Sequence, residues 1–175
     1  MRRATLAAVL IAAATLTGAC SSSDADQRVG ASPAREQSGP VPTSQQFDRP
    51  FPVGAENWDA TVTLSNLRIV PSSMYSDVVM AVDVRAVQSA GQPVLGPADF
   101  SAFDPAGARF EQIENPAGVI DDPLVPSVMT TTGEQIQGTV AWTMPRGTRI
   151  GRIEMTSPRT IGSITVTRQP SDPTD

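Results

Sequence analysis

Hydrophobic and polar residues alternate with a period of two through most of the chain from Asn57 onward, which is the mark of half-buried β-strands. The clearest case is Gly133 to Pro145. Ile136, Gly138, Val140, Trp142 and Met144 fall on one side of an extended chain, and Gln135, Gln137, Thr139, Ala141 and Thr143 on the other. Val78 to Ala86 repeats the pattern with Val78, Met80, Val82, Val84 and Ala86 on one face. Val79 and Ala81 make its other face partly apolar, which predicts a central strand or one covered by another element. In Trp58, Ala60, Val62 and Leu64 the apolar set is even-numbered. It moves to Leu67 and Ile69 after Ser65 and Asn66, a phase slip that predicts a bulge or a strand passing between two sheets.

Further along, Asp104-Pro105-Ala106-Gly107 and Asn115-Pro116-Ala117-Gly118 carry type I turn chemistry, with proline presetting φ and glycine free to take a positive one. They predict a hairpin-like path with Phe100 and Phe110 in the core and Phe103 facing away. Val128 to Thr131 reads as an edge strand. Arg149 to Thr156 and Ile161 to Arg168 read as the last two strands, with Ile164 and Val166 facing in. Seven or eight short strands between Pro/Gly turns, with no helical periodicity, predict an all-β fold, an antiparallel β-sandwich.

The first 56 residues follow other rules. Arg2 and Arg3 precede an apolar run from Ala4 to Leu16 and the small residues Gly18 and Ala19, the layout of a secretory signal peptide. The run is shorter than the roughly 20 apolar residues that a membrane span needs. Ser21 to Glu56 is rich in Ser, Gln, Pro, Gly, Asp and Arg and has no periodicity, so it reads as a disordered tether with an average reach of roughly 33 Å. Phe47, Phe51 and Val53 stand out in it as residues able to pack on the domain. The expected organisation is a signal peptide over 1–19, a lipidated cysteine and tether over 20–56, the sandwich over 57–168 and a disordered tail over 169–175.

Composition narrows the chemistry. There is no His, no Lys and a single Cys, so imidazole-based triads, Cys/His zinc cages, lysine Schiff bases and an internal disulfide are all excluded. A net charge of −5 argues against nucleic acid as a partner. What remains are carboxylates, hydroxyls and arginines. Acids gather at Asp99, Asp104, Glu111, Glu114, Asp121, Asp122 and Glu134, but without the alternating spacing of a calcium loop. They read as turn acids, with paired-carboxylate hydrolysis as the catalytic alternative. Trp58 and Trp142 lie on apolar faces and read as core rather than as a sugar platform.

Charge is also segregated along the chain. Seven acids and one arginine lie between Asp99 and Glu134, whereas five arginines and one acid lie between Pro145 and Gln169. Arg146, Arg149, Arg152, Arg159 and Arg168 are therefore a candidate patch for anionic headgroups or wall polymers, unless the two segments pair and neutralise each other. Alternation along one strand points Arg149 and Arg152 to opposite faces, which weakens the patch.

Two resemblances add to this reading. Leu16-Thr17-Gly18-Ala19-Cys20 resembles the lipobox of bacterial lipoproteins, with Thr17 where leucine is commoner. The resemblance implies cleavage before Cys20 and a diacylglyceryl group on its sulfur, and two acyl chains suffice for stable anchoring on the extracytoplasmic face of the cell membrane. Asn57 to Arg168 resembles a telokin-like, immunoglobulin-like domain of secreted and lipid-anchored actinobacterial proteins. The residues that carry it are Trp58 to Leu64, Val82-Asp83-Val84, Gly91-Gln92-Pro93-Val94, Phe103-Asp104 with Gly107, and Gly133-Glu134 leading to Gly138-Thr139-Val140 and Pro145. It implies an immunoglobulin-like sandwich and brings no catalytic motif. The expected function is a noncatalytic interaction or ligand-binding module, with no cofactor and an envelope protein or polymer as partner. The alternatives are a carboxylate-dependent envelope hydrolase and a carrier of a lipid or small apolar ligand, which would need an apolar cavity.

Overall fold

The computed structural model describes residues 42–167 and 169–170. They form two facing sheets and a small ribbon. The larger sheet has the order β2-β3-β4-β9-β7, with β2 Phe51–Gly54, β3 Asp59–Val70, β4 Val78–Ala90, β9 Gln135–Met144 and β7 Glu111–Gln112. The smaller has the order β1-β11-β10-β6, with β1 Pro42–Gln45, β11 Ile161–Thr165, β10 Arg152–Thr156 and β6 Phe100–Phe103. β5 Val94–Leu95 and β8 Ser127–Val128 form the ribbon. Pairing is antiparallel except between β1 and β11, which run parallel with Pro42 opposite Ile161 and Gln45 opposite Ile164.

One core lies between the sheets. Val62, Leu64, Met80, Val82, Val140 and Trp142 meet Phe100, Ala102, Ile153, Met155 and Ile164 there, all of them buried. The even-numbered residues of β4 and β9 point inward as their alternation predicts, and β4 is indeed central. Its second apolar face is covered, because Ile113, Val119 and Ile120 pack on Val79, Ala81 and Ala141. That covering segment is fixed by Ile113 N donating to Ala141 O and by Val119 N and Ile120 N donating to Pro116 O in the second proline turn. Among the described residues no helix is long and apolar enough to cross a membrane.

Several expectations need correction. Among the described residues the first strand begins at Pro42, inside the stretch read as tether. Phe51 and Val53 are buried and pair with Val62 and Ala60, while the polar Pro42-Thr-Ser-Gln strand is held by its backbone ladder alone and so leaves no hydrophobic signal. The phase slip in β3 is a bulge and not a change of sheet, since β3 pairs with β4 on both sides of it. Ser65 faces Asp83 and Arg68 faces Ala81, so one residue is extra, and Asn66 takes it up with φ 50°. The turn at Gly107 has the predicted hydrogen bond, Gly107 N to Asp104 O. The hairpin beyond it is brief, because after Phe110 N bonds to Ala102 O the chain crosses to the larger sheet and β7 pairs with β9. β10 begins at Arg152, not Arg149, and the second ribbon strand ends at Val128. Trp142 is fully buried, whereas Trp58 is half-buried at the edge of the core. Gln169, placed in the tail by sequence, is bonded through its side chain to Ile150.

Candidate functional site

The outer face of the larger sheet is divided. Its far half is the covered apolar cluster, and its near half is polar. The β3 bulge creates part of the polar half, because an unbroken alternation would turn the even-numbered Arg68 into the core. Re-aimed outward, Arg68 donates from Nη1 to Asp83 Oδ1 at 2.6 Å, Asn66 Nδ2 donates to Oδ2 at 2.7 Å and Thr139 Oγ1 donates to Oδ1 at 2.8 Å. Burial pushes the Asp83 carboxyl up, but the hydrogen bonds from Asn66, Arg68 and Thr139 and the charge of Arg68 outweigh it and hold the group below its ordinary range. Asp121, Asp122, Arg85 and Gln137 border the same hollow. Arg85 is engaged as well, through two hydrogen bonds to Gln135 Oε1.

The seven sequence-predicted acids do not converge. Asp99 accepts from Gly96 N at 2.8 Å, Asp104 from Ala108 N at 2.8 Å and Glu134 from Thr130 N at 2.7 Å, so three of them hold turns together as turn acids do. Burial raises Asp99 despite its bond from Gly96, and the backbone bonds from Thr130 and Thr131 lower Glu134. Among the described residues no group of three His, Cys, Asp or Glu side chains is arranged to hold a metal ion. Cys20 lies outside the described residues, as does Arg168.

The arginines are distributed differently from either expectation. The ion pairs of the described residues are Arg68 with Asp83, Arg152 with Glu154 and Arg159 with Asp59, so none joins the acid-rich segment to the arginine-rich one. Arg159 sits beside Gly54 at the end of the sandwich where β1 starts. Arg146, Arg149 and Arg152 gather at the opposite end. Arg146 Nε donates to Ser76 O and borders a hollow with Ile69, Val78 and Asp77. Arg149 and Arg152 border a larger hollow of about 450 Å³ together with Asp104, Thr165 and Thr167.

Local backbone chemistry builds this end. Arg149 sits in the loop before β10 and Arg152 at the strand's first position, so strand alternation does not separate them. Gly151 lets the Asp104-Pro105 turn press against the loop, since a Cβ there would lie 2.7 Å from Pro105 N. Gly151 N donates to Phe103 O and Val166 N to Gly151 O, both at 2.8 Å. The Gln169 amide then grips Ile150 on both sides: Ile150 N donates to Oε1 at 3.0 Å and Nε2 donates to Ile150 O at 2.8 Å. Arg152 itself is fixed by its Nε bond to Glu154 at 2.7 Å and by stacking over Phe103, 4.2 Å from the ring centre. The sequence patch named these three arginines, but the strand expected from Arg149 set Arg149 and Arg152 on opposite faces, and Arg159 lies at the other end. Gly147 and Gly151, interspersed among Arg146, Arg149 and Arg152, were the available signal, because glycine weakens a strand and marks a turn or close approach.

An exposed apolar group lies on the ribbon, where Val94 and Val128 are directly paired and 56% and 51% exposed, with Val125 nearby. Beneath it Leu95 and Met129 close the core.

No protein family's model matches the sequence, and no curated protein matches it. Two solved structures share the fold. One is MPT63, a secreted protein from Mycobacterium tuberculosis, with a TM-score of 0.58 and 11% identity over 72% of this chain and 98% of that one. The other is the yjhA protein from Bacillus subtilis, with a TM-score of 0.51 and 7% identity over 69% of this chain and 98% of that one. At these identities the likeness concerns the fold, an immunoglobulin-like β-sandwich.

Proposed function

We propose that the chain is a cell-envelope lipoprotein that displays a noncatalytic, ligand-binding β-sandwich on the extracytoplasmic face of the membrane. The observation that carries the address is the position of the sole cysteine, Cys20, directly after Leu16-Thr17-Gly18-Ala19 and an apolar run too short to span. The sandwich shares its fold with a secreted mycobacterial protein, which fits the same address. The noncatalytic part is supported by the state of the carboxylates. Asp83, an acid on a concave surface, is held below its ordinary range against burial by hydrogen bonds from Asn66, Arg68 and Thr139 and by the charge of Arg68, which suits a structural role and not a general acid that must hold a proton near neutral pH. Three further acids are occupied in turns.

Replacement of the anchor thiol tests the address. Cys20→Ser is expected to appear in the soluble fraction or to remain unprocessed, while the wild type partitions with detergent. A processed Cys20→Ser protein that still enters the detergent phase would refute lipid anchoring. A crosslinking and pull-down experiment in intact cells tests the interaction role, with an envelope protein or polymer as the expected partner.

A further inference from the structure

Two hollows at the arginine-rich end of the sandwich share a wall. Arg149, Ile150 and Gln169 border both the 450 Å³ hollow that holds Arg152 and a second one of about 230 Å³ bounded by Ile69, Met80, Met144, Gly147 and Pro170. The result is a furrow that is cationic on one side of Ile150 and apolar on the other. We infer that this furrow binds an amphiphilic phosphate, an ester whose phosphate sits between Arg149 and Arg152 and whose alkyl portion lies over Ile69, Gly147 and Pro170. The inference rests on the ligand-binding reading above and names the ligand class.

The charged half is built for an oxyanion. Glu154 takes only Nε of Arg152, and among the described residues its two terminal nitrogens donate no hydrogen bond. Arg149 likewise has no ion-pair partner among the described residues. Because Glu154 and Phe103 already hold Arg152 in place, little side-chain freedom is lost when a ligand arrives. The carboxylates facing this half are Asp104, which is engaged by Ala108 N, and Glu154, which is engaged by Arg152. A single guanidinium fork satisfies a carboxylate. Two arginines three residues apart, with Thr165 and Thr167 lining the same hollow, suit a group that presents oxygens in several directions, as phosphate does.

The apolar half argues against free phosphate as the whole ligand. Ile69, Gly147 and Pro170 form its accessible wall, with Met80 and Met144 buried beneath them. The furrow also lies at the end of β11 away from the β1 entry. Pro42 pairs with Ile161 at one end of the ladder, and Thr165 follows Gln45's partner at the other.

The test uses the full-length Cys20→Ser chain, which carries no acyl group of its own. Calorimetric titration with octyl phosphate below its micelle concentration is expected to saturate one site at least tenfold more tightly than inorganic phosphate or octanol. Arg149→Gln should weaken octyl phosphate tenfold or more and steepen no salt dependence, whereas Arg85→Gln, on the outer face of the larger sheet, should leave it unchanged. Equal binding of octyl phosphate and octanol, or indifference to Arg149→Gln, would overturn the proposal. Sedimentation with phosphatidylglycerol vesicles separates two sources of the same chemistry. Arg149-dependent sedimentation assigns the ligand to the bilayer surface, and octyl phosphate binding without sedimentation assigns it to single amphiphiles. Release of inorganic phosphate during the titration would refute the noncatalytic reading while leaving the site in place, and a negative titration would leave the Cys20 anchor untouched.

Discussion

The two sheets differ in how many of their faces are apolar. In the larger one β4 and β9 bury Met80, Val82, Val140 and Trp142 toward the core and Val79, Ala81 and Ala141 beneath the 113–120 segment. In the smaller one Ile153, Met155 and Ile164 face the core, while Arg152, Glu154 and Ser163 on the other face are only half-buried. A strand covered on both sides carries apolar residues in both phases and can be long, 13 residues for β4 and 10 for β9. In the smaller sheet no strand exceeds 5 residues, whereas β3 of the larger sheet, polar on its outer face, reaches 12 residues by pairing with β4 along its length. The comparison teaches that the larger sheet is the scaffold and the smaller one is assembled against it.

The strongest way to break that relation is at their shared core. Trp142→Ala is expected to lower stability by about 3 to 5 kcal/mol in denaturant melts, whereas Thr143→Ala, its outward neighbour on the same strand, should change it by well under about 1. Equal losses would mean that β9 does not hold the sheets together.

A smaller effect is expected where the smaller sheet leans on β2. A Cβ on Gly162 would lie 2.5 Å from the Phe51 ring, so Gly162→Val should destabilise by about 1 to 3 kcal/mol through overpacking. The paired change Gly162→Val with Phe51→Leu should recover part of that loss, and failure to recover any would show that Phe51 is not the limiting contact.

The smallest effect concerns the polar half of the larger sheet and depends on pH. The native Asp83 pKa is depressed below its ordinary 3.8, so its contribution is present above that value and is lost as pH falls through the native pKa. Asp83→Asn should therefore be less stable than wild type near neutral pH, and the two proteins should converge in strongly acid solution. A difference that persists unchanged at the lowest pH would mean that the loss is steric and not ionic.

How much of this was legible in the sequence depends on which force holds each element. β4 and β9 were readable to within a few residues because side-chain burial defines them, and the slip at Ser65 and Asn66 located the bulge. β1 was unreadable because Pro42 to Gln45 offers nothing to bury and is held by backbone bonds to β11. The end containing Arg149 and Arg152 was misread for another reason. Gly147 and Gly151 convert a presumed strand into a loop gripped by Gln169, and a side-chain amide standing in for a strand leaves no periodic trace. The acids were easier, since turn chemistry explains Asp99 and Asp104 from local sequence alone.

The parallel pairing of β1 with β11 also has a mechanical consequence. A pull delivered at Pro42 and resisted at the far end, where Arg149 and Arg152 lie, runs along the β1 axis. The force then loads the ladder from Pro42–Ile161 to Gln45–Ile164 in shear, so that its hydrogen bonds must fail together and not one after another. Tension applied in this way would be borne by a segment that buries no large apolar side chain. Reversing the pull, by attachment beyond Gln169, would release the Gln169 clasp on Ile150 first and leave β1 unloaded.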